Sequence, residues 1–365
     1  MLHRIDPVCA TEFAWVGKLQ NDLLAAVCKP GTKRNHVTES WCLGLRSDID
    51  ATWLRSFLSR KDKLPNISKP LLEHLRTIAD ANVALKKQII DQFAYNQEFA
   101  EAFDCSAPKA HPLRPVTALG DANLIKAVRG FFTVFYDPEF YKDKGFPVPH
   151  LAGRKFTRDY FIAQFNKINL GIGVCVLCDG GLGDPDLDHF YAKKVYPGLS
   201  CHQANLVPIC KTCNGRNRKG EKAPLDDGVN DPMENWFHPY WRCAGGCYSV
   251  EFVIRDDELW PTLHSADALT QRRLDNLDTL IDLGERWQGN LNHIFRSLVK
   301  QLKQLDHACY QDCLSRLAQS APYDIGELPI AILREACYRS AANGNKMLLD
   351  EIRVELTKQD PLTVV

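Results

Sequence analysis

The sequence predicts a mainly α-helical protein that contains one small α+β module. Apolar residues recur at helical spacing in two long segments, within the first 165 or so residues and again from about 266 to 307. The stretch between them is rich in glycine, cysteine and short apolar pieces, which is typical of a small metal-stabilised module. The predicted organisation is an N-terminal helical region, a module, a β-hairpin and a C-terminal helical region, over residues 1–168, 169–240, 241–257 and 258–365.

The N-terminal region contains an apolar stripe with steps of three and four residues, interrupted once by the polar Asn82. That spacing predicts one face of a single long helix. Ser68 is a suitable N-cap for it, and Pro70 is tolerated in a first helical turn. The residues of the stripe are Leu71, Leu75, Ile78, Leu85, Ile89 and Phe93.

The C-terminal region contains a second pattern with approximate helical spacing, and two shorter helices are expected after it, separated near "NGN" at 343–345. Before this region, "YWRCAGGCYSVEFVIRDD" predicts a hairpin with Gly245-Gly246 at its turn and "YSVEFVI" as a strand. The residues of the helical pattern are Leu274, Leu277, Ile281, Trp287, Leu291, Ile294, Leu298, Leu302 and Leu305.

The overall charge of the chain does not indicate a nucleic-acid partner. The 45 basic and 45 acidic residues give a formal net charge of zero, so any basic footprint has to be local. The first 15 residues lack the apolar segment of a secretory signal, and we find no apolar run long enough to cross a bilayer. We therefore expect a cytoplasmic protein with reduced cysteines.

Four of the 14 cysteines form two Cys-x-x-Cys pairs, Cys175 with Cys178 and Cys210 with Cys213. Each pair places two thiolates on a tight turn, and two such pairs complete the tetrahedral shell that zinc prefers. We therefore expect a structural Zn²⁺ site, against the alternative of four unrelated buried cysteines.

The other cysteines lack this pairing. Cys243 and Cys247 have a looser spacing, for which the end of a hairpin is the favoured interpretation and a second metal site with His238 the alternative. Eight more are interpreted as isolated small hydrophobic residues: Cys9, Cys28, Cys42, Cys105, Cys201, Cys309, Cys313 and Cys337.

The segment between the two cysteine pairs contains Asp188-His189, "NLVP" from Asn205, and Asn214 directly after the last cysteine. Zinc with four thiolates has no open position, so catalysis would depend on these side chains. Neighbouring side chains on a strand face opposite ways, so Asp188 could bind a cation while His189 addresses a water. Asn214, at the start of a predicted short helix, could offer its amide oxygen to the same cation, and oxygen ligands suit Mg²⁺.

A local basic patch accompanies these residues. Such a patch next to a histidine and a carboxylate points to a phosphodiester substrate, whereas a basic run alone is more often a solvated surface. Its members are Lys193, Lys194, Lys211, Arg216, Arg218, Lys219 and Lys222.

Residues 175–222 resemble the HNH endonuclease family, whose pattern runs Cys-x-x-Cys, Asp-His, Asn with an apolar pair and Pro, then Cys-x-x-Cys. The resemblance implies a ββα-metal core, treble-clef-like and held by zinc. One position departs from the pattern, because Asn214 stands where many members have histidine. Asn217 lies close by and remains an alternative ligand.

The resemblance also implies a mechanism. His189 would be the general base for in-line attack of water on phosphorus, and Asn205 would orient it. Asp188 and Asn214 would hold one Mg²⁺ or Mn²⁺ ion, and the products would carry 5′-phosphate and 3′-hydroxyl ends. One such site cuts one strand, so a monomer would nick DNA. The residues expected to contact backbone phosphates are Lys193, Arg216, Arg218 and Lys219.

The helical regions carry no motif that we can name. HNH modules with long helical extensions are common among bacterial phage-defence nucleases, such as those of the Septu and Zorya systems. This chain resembles them at the level of architecture, and the resemblance implies that other subunits of a defence system are its partners. Homing and phage-packaging HNH nucleases are a further possibility. Two other functions stay open: a non-catalytic zinc module that binds nucleic acid, and a protein-interaction scaffold.

Overall fold

A computed structural model describes residues 1–61, 69–103, 111–142, 144–220, 222 and 233–357. Two of the sequence-based predictions concern residues outside these ranges: the N-cap at Ser68 and the environment of Cys105. The described residues confirm a mainly helical chain with a small β part. The division into four regions stays a prediction.

The N-terminal region forms helices whose first turns are mostly capped by side chains. Thr38, Asp50, Asp121 and Thr157 each accept a hydrogen bond from the backbone N–H three residues ahead. A π-helical turn at Phe135–Tyr141 continues the sixth helix. The helices are α1 (Ala10–Cys28), α2 (Glu39–Leu45), α3 (Ala51–Leu58), α4 (Leu71–Ala79), α5 (Val83–Gln97), α6 (Ala122–Val134) and α7 (Arg158–Ile168).

The long helix predicted over the first apolar stripe is two helices, α4 and α5. Asn82, the one polar interruption of the stripe, is the N-cap of α5, and its Oδ1 accepts a hydrogen bond from the backbone N–H of Leu85 at 2.9 Å. The apolar spacing continues across the break because both helices pack on the same core. The asparagine within this apolar stripe therefore marks the start of a helix.

In the C-terminal region, the apolar pattern that starts near residue 266 also corresponds to two helices and not to one. Asp282 adopts the left-handed conformation, with φ 50°, and separates the first two helices of this region. The "NGN" break lies where it was expected, between the last two helices. The helices are α8 (Ala268–Ile281), α9 (Leu283–Leu302), α10 (Tyr310–Ser320), α11 (Ala331–Ala342) and α12 (Lys346–Thr357).

The β part is two separate antiparallel hairpins. Strand β1 (Asp186–His189) pairs with β2 (Leu206–Ile209), with His189 opposite Leu206. Strand β3 (Ser249–Arg255) pairs with β4 (Glu258–His264) through a two-residue turn.

The second hairpin corrects the predicted turn. Its turn is Asp256-Asp257, at φ 50° and 63°, so the hairpin spans 249–264 and the turn predicted at Gly245-Gly246 is wrong. Two successive positive φ angles match the twist of a tight hairpin, and aspartate tolerates them better than most residues. Gly245-Gly246 lies before the first strand of this hairpin.

The segment after the last cysteine also differs from expectation. Residues 211–220 form a series of turns, so the short helix predicted to begin at Asn214 is absent from this segment. The arginine and lysine side chains of these turns lie at different depths as a result, instead of sharing one helical face.

The core of the N-terminal region is dense in aromatic rings. Phe13 packs against Phe140, Phe156 and Phe161, with centroid distances between 4.9 and 5.8 Å. Edge-to-face and tilted contacts of this kind add to the burial of large apolar side chains. Within the described ranges, we find no helix of the length and hydrophobicity that a membrane span requires.

Candidate functional site

The four paired cysteines meet in the interior as a compact cluster. Their sulfur atoms all lie within 4.8 Å of one another, with Cys175 Sγ 3.9 Å from Cys213 Sγ and Cys178 Sγ 3.8 Å from Cys210 Sγ. A tetrahedral zinc ion with Zn–S bonds of about 2.3 Å requires sulfur atoms separated by about 3.8 Å. The cluster therefore fits Zn²⁺, and it is the one group with metal-ligand geometry that we find among the described residues.

Backbone and side-chain donors surround the sulfur atoms. The backbone N–H groups of Gly180, Cys210 and Cys213 each point at a cysteine sulfur at 3.4 Å. Arg286, at the start of α9, donates from Nη1 to Cys213 Sγ at 2.8 Å and from Nη2 to Cys178 Sγ at 3.1 Å. Such donors stabilise thiolates, which is the form that binds zinc.

His189 is the last residue of β1 and is almost completely buried. Its Nε2 donates to the backbone oxygen of Ser200 at 3.1 Å, and the ring of Tyr136 lies edge-on at 4.4 Å. Because Nε2 carries the proton, Nδ1 is the nitrogen that can accept one. Burial, followed by the nearby charge of Lys193, holds the pKa of His189 well below its usual value, so the ring is neutral.

Asp188 is buried next to His189 and is paired with a lysine of the predicted phosphate-binding set. Lys219 Nζ lies 2.6 Å from Asp188 Oδ2 and donates to the backbone oxygen of His189 at 2.8 Å. Burial raises the pKa of Asp188, and Lys219 opposes that shift. Lys219 is only 1% exposed, so the predicted contact of this residue with backbone phosphates conflicts with its position in this structure.

Asn205 closes the loop between the two strands. Its Oδ1 accepts from the backbone N–H of Tyr191 at 2.7 Å, and its Nδ2 donates to the backbone oxygens of Tyr191 and Leu199 at 3.0 Å each. The loop therefore places Ser200, the acceptor for His189, beside the end of β1. Asn205 thus acts on His189 through the backbone of this loop.

Among the described residues, we find no hydrogen bond between Asn214 and Asp188. The Nδ2 of Asn214 instead donates to Asp186 Oδ2 at 3.1 Å. Asp186 and Asp188 alternate along β1 and therefore share a face of the strand. Sequence reasoning missed Asp186, although the same alternation rule could have found it. Asn217, the alternative ligand, is exposed.

The other three residues predicted to contact phosphates differ in their exposure and in their ion pairs. Lys193 is partly exposed, with its Nζ 4.2 Å from the ring centroid of Tyr136, and Arg216 is exposed. Arg218 forms ion pairs with Asp282 and Glu285 at the junction of α8 and α9. Lys193 and Arg216 are therefore the better placed of the predicted phosphate contacts.

The alternative second metal site is not formed. His238 is buried, its Nε2 donates to the backbone oxygen of Ala204 at 3.0 Å, and its Nδ1 accepts from the backbone N–H of Tyr240 at 3.2 Å. Both ring nitrogens are thus engaged. Cys247 is exposed and Cys243 is half-buried.

The isolated cysteines mostly fit their interpretation as small hydrophobic residues. Cys9 is half-buried and Cys309 is exposed, which departs from it. Those that are buried are Cys28, Cys42, Cys201, Cys313 and Cys337.

The fold and the site together define a mainly helical protein built around a buried four-cysteine centre that can bind zinc. A curated protein of Bacillus thuringiensis, "Septu protein PtuB", is 23% identical to the chain over 128 residues. These residues cover 32% of this chain and 50% of that protein, so the chain spans about half the length of the curated relative it matches. No family model matches the chain, and no solved structure matches it.

Proposed function

We propose that the protein is a metal-dependent endonuclease of the HNH type that nicks DNA in anti-phage defence. The observation that carries this proposal is the arrangement around β1. Asp188 and His189 end a strand whose partner follows Asn205, and the two cysteine pairs that bracket this hairpin converge on one centre. In the proposed ββα-metal core, the hairpin of β1 and β2 is the ββ portion. The cysteine centre is the zinc site that holds the core together.

His189 is the proposed general base. Its Nε2 is held by the backbone oxygen of Ser200, which leaves Nδ1 to take a proton from a water that attacks phosphorus. The lowered pKa of His189 keeps that nitrogen unprotonated at neutral pH. Asn205 is a positioning residue, because its three hydrogen bonds fix the loop that carries the acceptor for His189.

Three oxygen-bearing side chains are the proposed ligands of a hard divalent cation. They belong to Asp186 and Asp188 on β1 and to Asn214 beside it. Their carboxylate and amide oxygens are the kind of ligand that Mg²⁺ and Mn²⁺ prefer. When bound there, the cation would stabilise the charge that develops on the phosphate oxygens. The chain supplies the carboxylates, and the exposed Arg216 and partly exposed Lys193 supply positive charge for the DNA backbone.

The role in defence rests on the resemblance to "Septu protein PtuB" together with the long helical regions around the module. We propose that the helical regions contact other subunits of a Septu-like system, and that DNA is the substrate. The proposed contact with other subunits is independent of the chemistry at β1, because it can be tested without measuring cleavage.

The decisive experiment is a plasmid-nicking assay with Mg²⁺ or Mn²⁺. We expect the wild-type protein to convert supercoiled plasmid to nicked circles, and His189→Ala to lower the rate by at least about a hundredfold, as typical for loss of a general base. His264→Ala is the matched control, since His264 also ends a strand but is exposed. Equal rates for wild type and His189→Ala would rule out the proposed base.

The same assay separates the two candidate amide ligands. Asn214→Ala should lose most of the activity because its side chain lies against Asp186 on β1. Asn217→Ala should retain it, since Asn217 is exposed on the turn that follows. The opposite ranking would assign the cation to Asn217.

A non-catalytic module that binds nucleic acid is the second candidate. The observation that favours it is the closed pair of Lys219 and Asp188, in which the carboxylate already has a cationic partner. This candidate predicts DNA binding without cleavage under every divalent cation tried, and equal binding by wild type and His189→Ala.

A further inference from the structure

A buried ion pair lies at the proposed cation site. Lys219 is 1% exposed and Asp188 is 4% exposed, and Lys219 Nζ lies 2.6 Å from Asp188 Oδ2. The same ammonium group donates to the backbone oxygen of His189 at 2.8 Å. Lys219 therefore contacts both members of the Asp-His pair at the end of β1.

The turns after the second cysteine pair deliver Lys219 to this position. The backbone N–H of Lys219 donates to the oxygen of Cys213 at 3.2 Å, so the lysine is tied to a residue of the four-cysteine centre. Arg218, directly before it, is anchored on the α8–α9 junction by Asp282. Gly220, directly after it, has a φ of 45° and passes close to the backbone of Arg216, where a side chain would be crowded. The position of Lys219 is thus set from both sides.

A carboxylate this deeply buried requires a compensating positive charge, because desolvation of a lone charge is costly. Lys219 supplies that charge as a single ammonium group. A divalent cation would need an oxygen of the same carboxylate at about 2.1 Å. Two cations sharing one carboxylate in a site that excludes water repel each other strongly, so they compete for Asp188.

We propose that Lys219 is the resident cation of Asp188 and that a divalent cation binds at this carboxylate by displacing the Lys219 ammonium group. This inference rests on the proposed cation site of the nuclease. It gives Lys219 a role as a built-in competitor, in place of the phosphate contact that the sequence suggested. The displaced ammonium group would then become accessible to solvent.

The first test measures Mn²⁺ binding by titration calorimetry with the zinc centre loaded, so no DNA is involved. Lys219→Met keeps an unbranched side chain only one atom shorter and removes its charge. We expect it to bind Mn²⁺ roughly tenfold more tightly than the wild type, a coupling in the range typical of two linked ligands. Asp188→Asn combined with Lys219→Met should lose that gain, because the carboxylate is the shared partner.

The second test uses the wild-type protein and does not depend on whether Lys219→Met folds. Amines are acetylated with and without Mn²⁺ at matched ionic strength, and each lysine is quantified by mass spectrometry. Lys219 should be protected without Mn²⁺ and become several times more reactive with it. Lys86 is the matched control, because it is 3% exposed and its Nζ is held by the backbone oxygen of Thr32 at 2.6 Å.

The outcomes separate this inference from the proposed nuclease function. Tighter Mn²⁺ binding by Lys219→Met supports it even when no protein cuts DNA. Unchanged or weaker binding overturns it even when the wild type is an active nuclease, and absence of Mn²⁺ binding by either protein overturns it too. Protection of Lys219 that persists in saturating Mn²⁺ would likewise overturn the displacement of its ammonium group.

Discussion

Asn205 shows how one buried amide can define a loop. All three of its hydrogen bonds run to the backbone of residues 191 and 199, on the far side of the loop that joins β1 to β2. The side chain is fully buried, so water cannot replace it. Removing it would take away three hydrogen bonds in a dry environment, of which two are to Tyr191 and one to Leu199, whose oxygen also accepts from the backbone N–H of His202 at 3.3 Å.

We predict that Asn205→Ala lowers the free energy of unfolding by about 3 kcal/mol, the sum expected for the loss of three buried hydrogen bonds. Asn205→Asp should cost at least as much, because a carboxylate oxygen would face the carbonyl oxygens of Tyr191 and Leu199. Urea unfolding measures both. Asn217→Ala, at an exposed position, is the control and should be close to neutral; a near-neutral Asn205→Ala would contradict the role of the amide.

At the scale of elements, helix α9 is attached to the cysteine centre by its first turn. Arg286 bridges one sulfur of each cysteine pair, and the indole Nε1 of Trp287 donates to the backbone oxygen of Cys178 at 3.1 Å. Zinc with four thiolates carries two net negative charges, and one arginine offsets half of that. Burial lowers the pKa of Arg286, but the nearby thiolates outweigh that effect and raise the pKa above its usual value.

Arg286→Met should therefore release zinc to a competing chelator roughly tenfold faster than the wild type, since residues behind metal ligands commonly change affinity by such factors. Arg286→Lys should fall between the two, because a single ammonium group cannot reach both sulfurs with the planar geometry of a guanidinium. Chelator absorbance follows the transfer. Arg296→Met, at an exposed position of α9, should match the wild type; identical release by Arg286→Met would show that these contacts do not stabilise the centre.

At the scale of the whole molecule, the first cysteine pair joins distant parts of the chain. The backbone N–H of Leu2 donates to the oxygen of Val176, and His3 lies 2.7 Å from the buried carboxylate of Asp179. That carboxylate also accepts from the backbone N–H of Ile332 at the start of α11. The N-terminal segment and α11 therefore meet at a residue adjacent to Cys178.

We predict that removal of zinc loosens these remote contacts as well as the module itself. Because four thiolates cannot remain packed together without a cation, the first cysteine pair should lose its shape and release its partners. Hydrogen exchange should then increase in β1 and β2, at the start of α9 and at the start of α11. Cys210→Ser should produce the same pattern without a chelator.

Helices α4 and α6 provide an internal reference for this experiment. They pack against each other in the N-terminal region, whereas the contacts of the first cysteine pair run to α9, to α11 and to the N-terminal segment. The exchange of α4 and α6 should therefore stay unchanged when zinc is removed. Faster exchange across the whole chain would instead indicate global unfolding, and an unchanged α9 would show that the zinc centre acts only locally.

The helical character of the chain and the membership of the cysteine centre are predictable from the sequence alone. Both follow from local spacing, since steps of three and four residues define a helical face and Cys-x-x-Cys defines a two-thiolate turn. The resemblance of residues 175–222 to the HNH pattern also implies two strands in this segment, and β1 pairs there with β2. Helix breaks at Asn82 and Asp282 were missed because the apolar pattern continues through them.

Contacts between side chains that are far apart in the sequence follow from the folded chain and from no local pattern. Arg286 lies 73 residues after Cys213, and no local pattern predicts that its guanidinium contacts that sulfur. Lys219 belongs to a basic run that is typical of a surface, yet the turns after Cys213 bury it against Asp188. Contacts of this kind depend on how the chain folds back on itself, and the free energy of a buried charge is set by the partner it finds there.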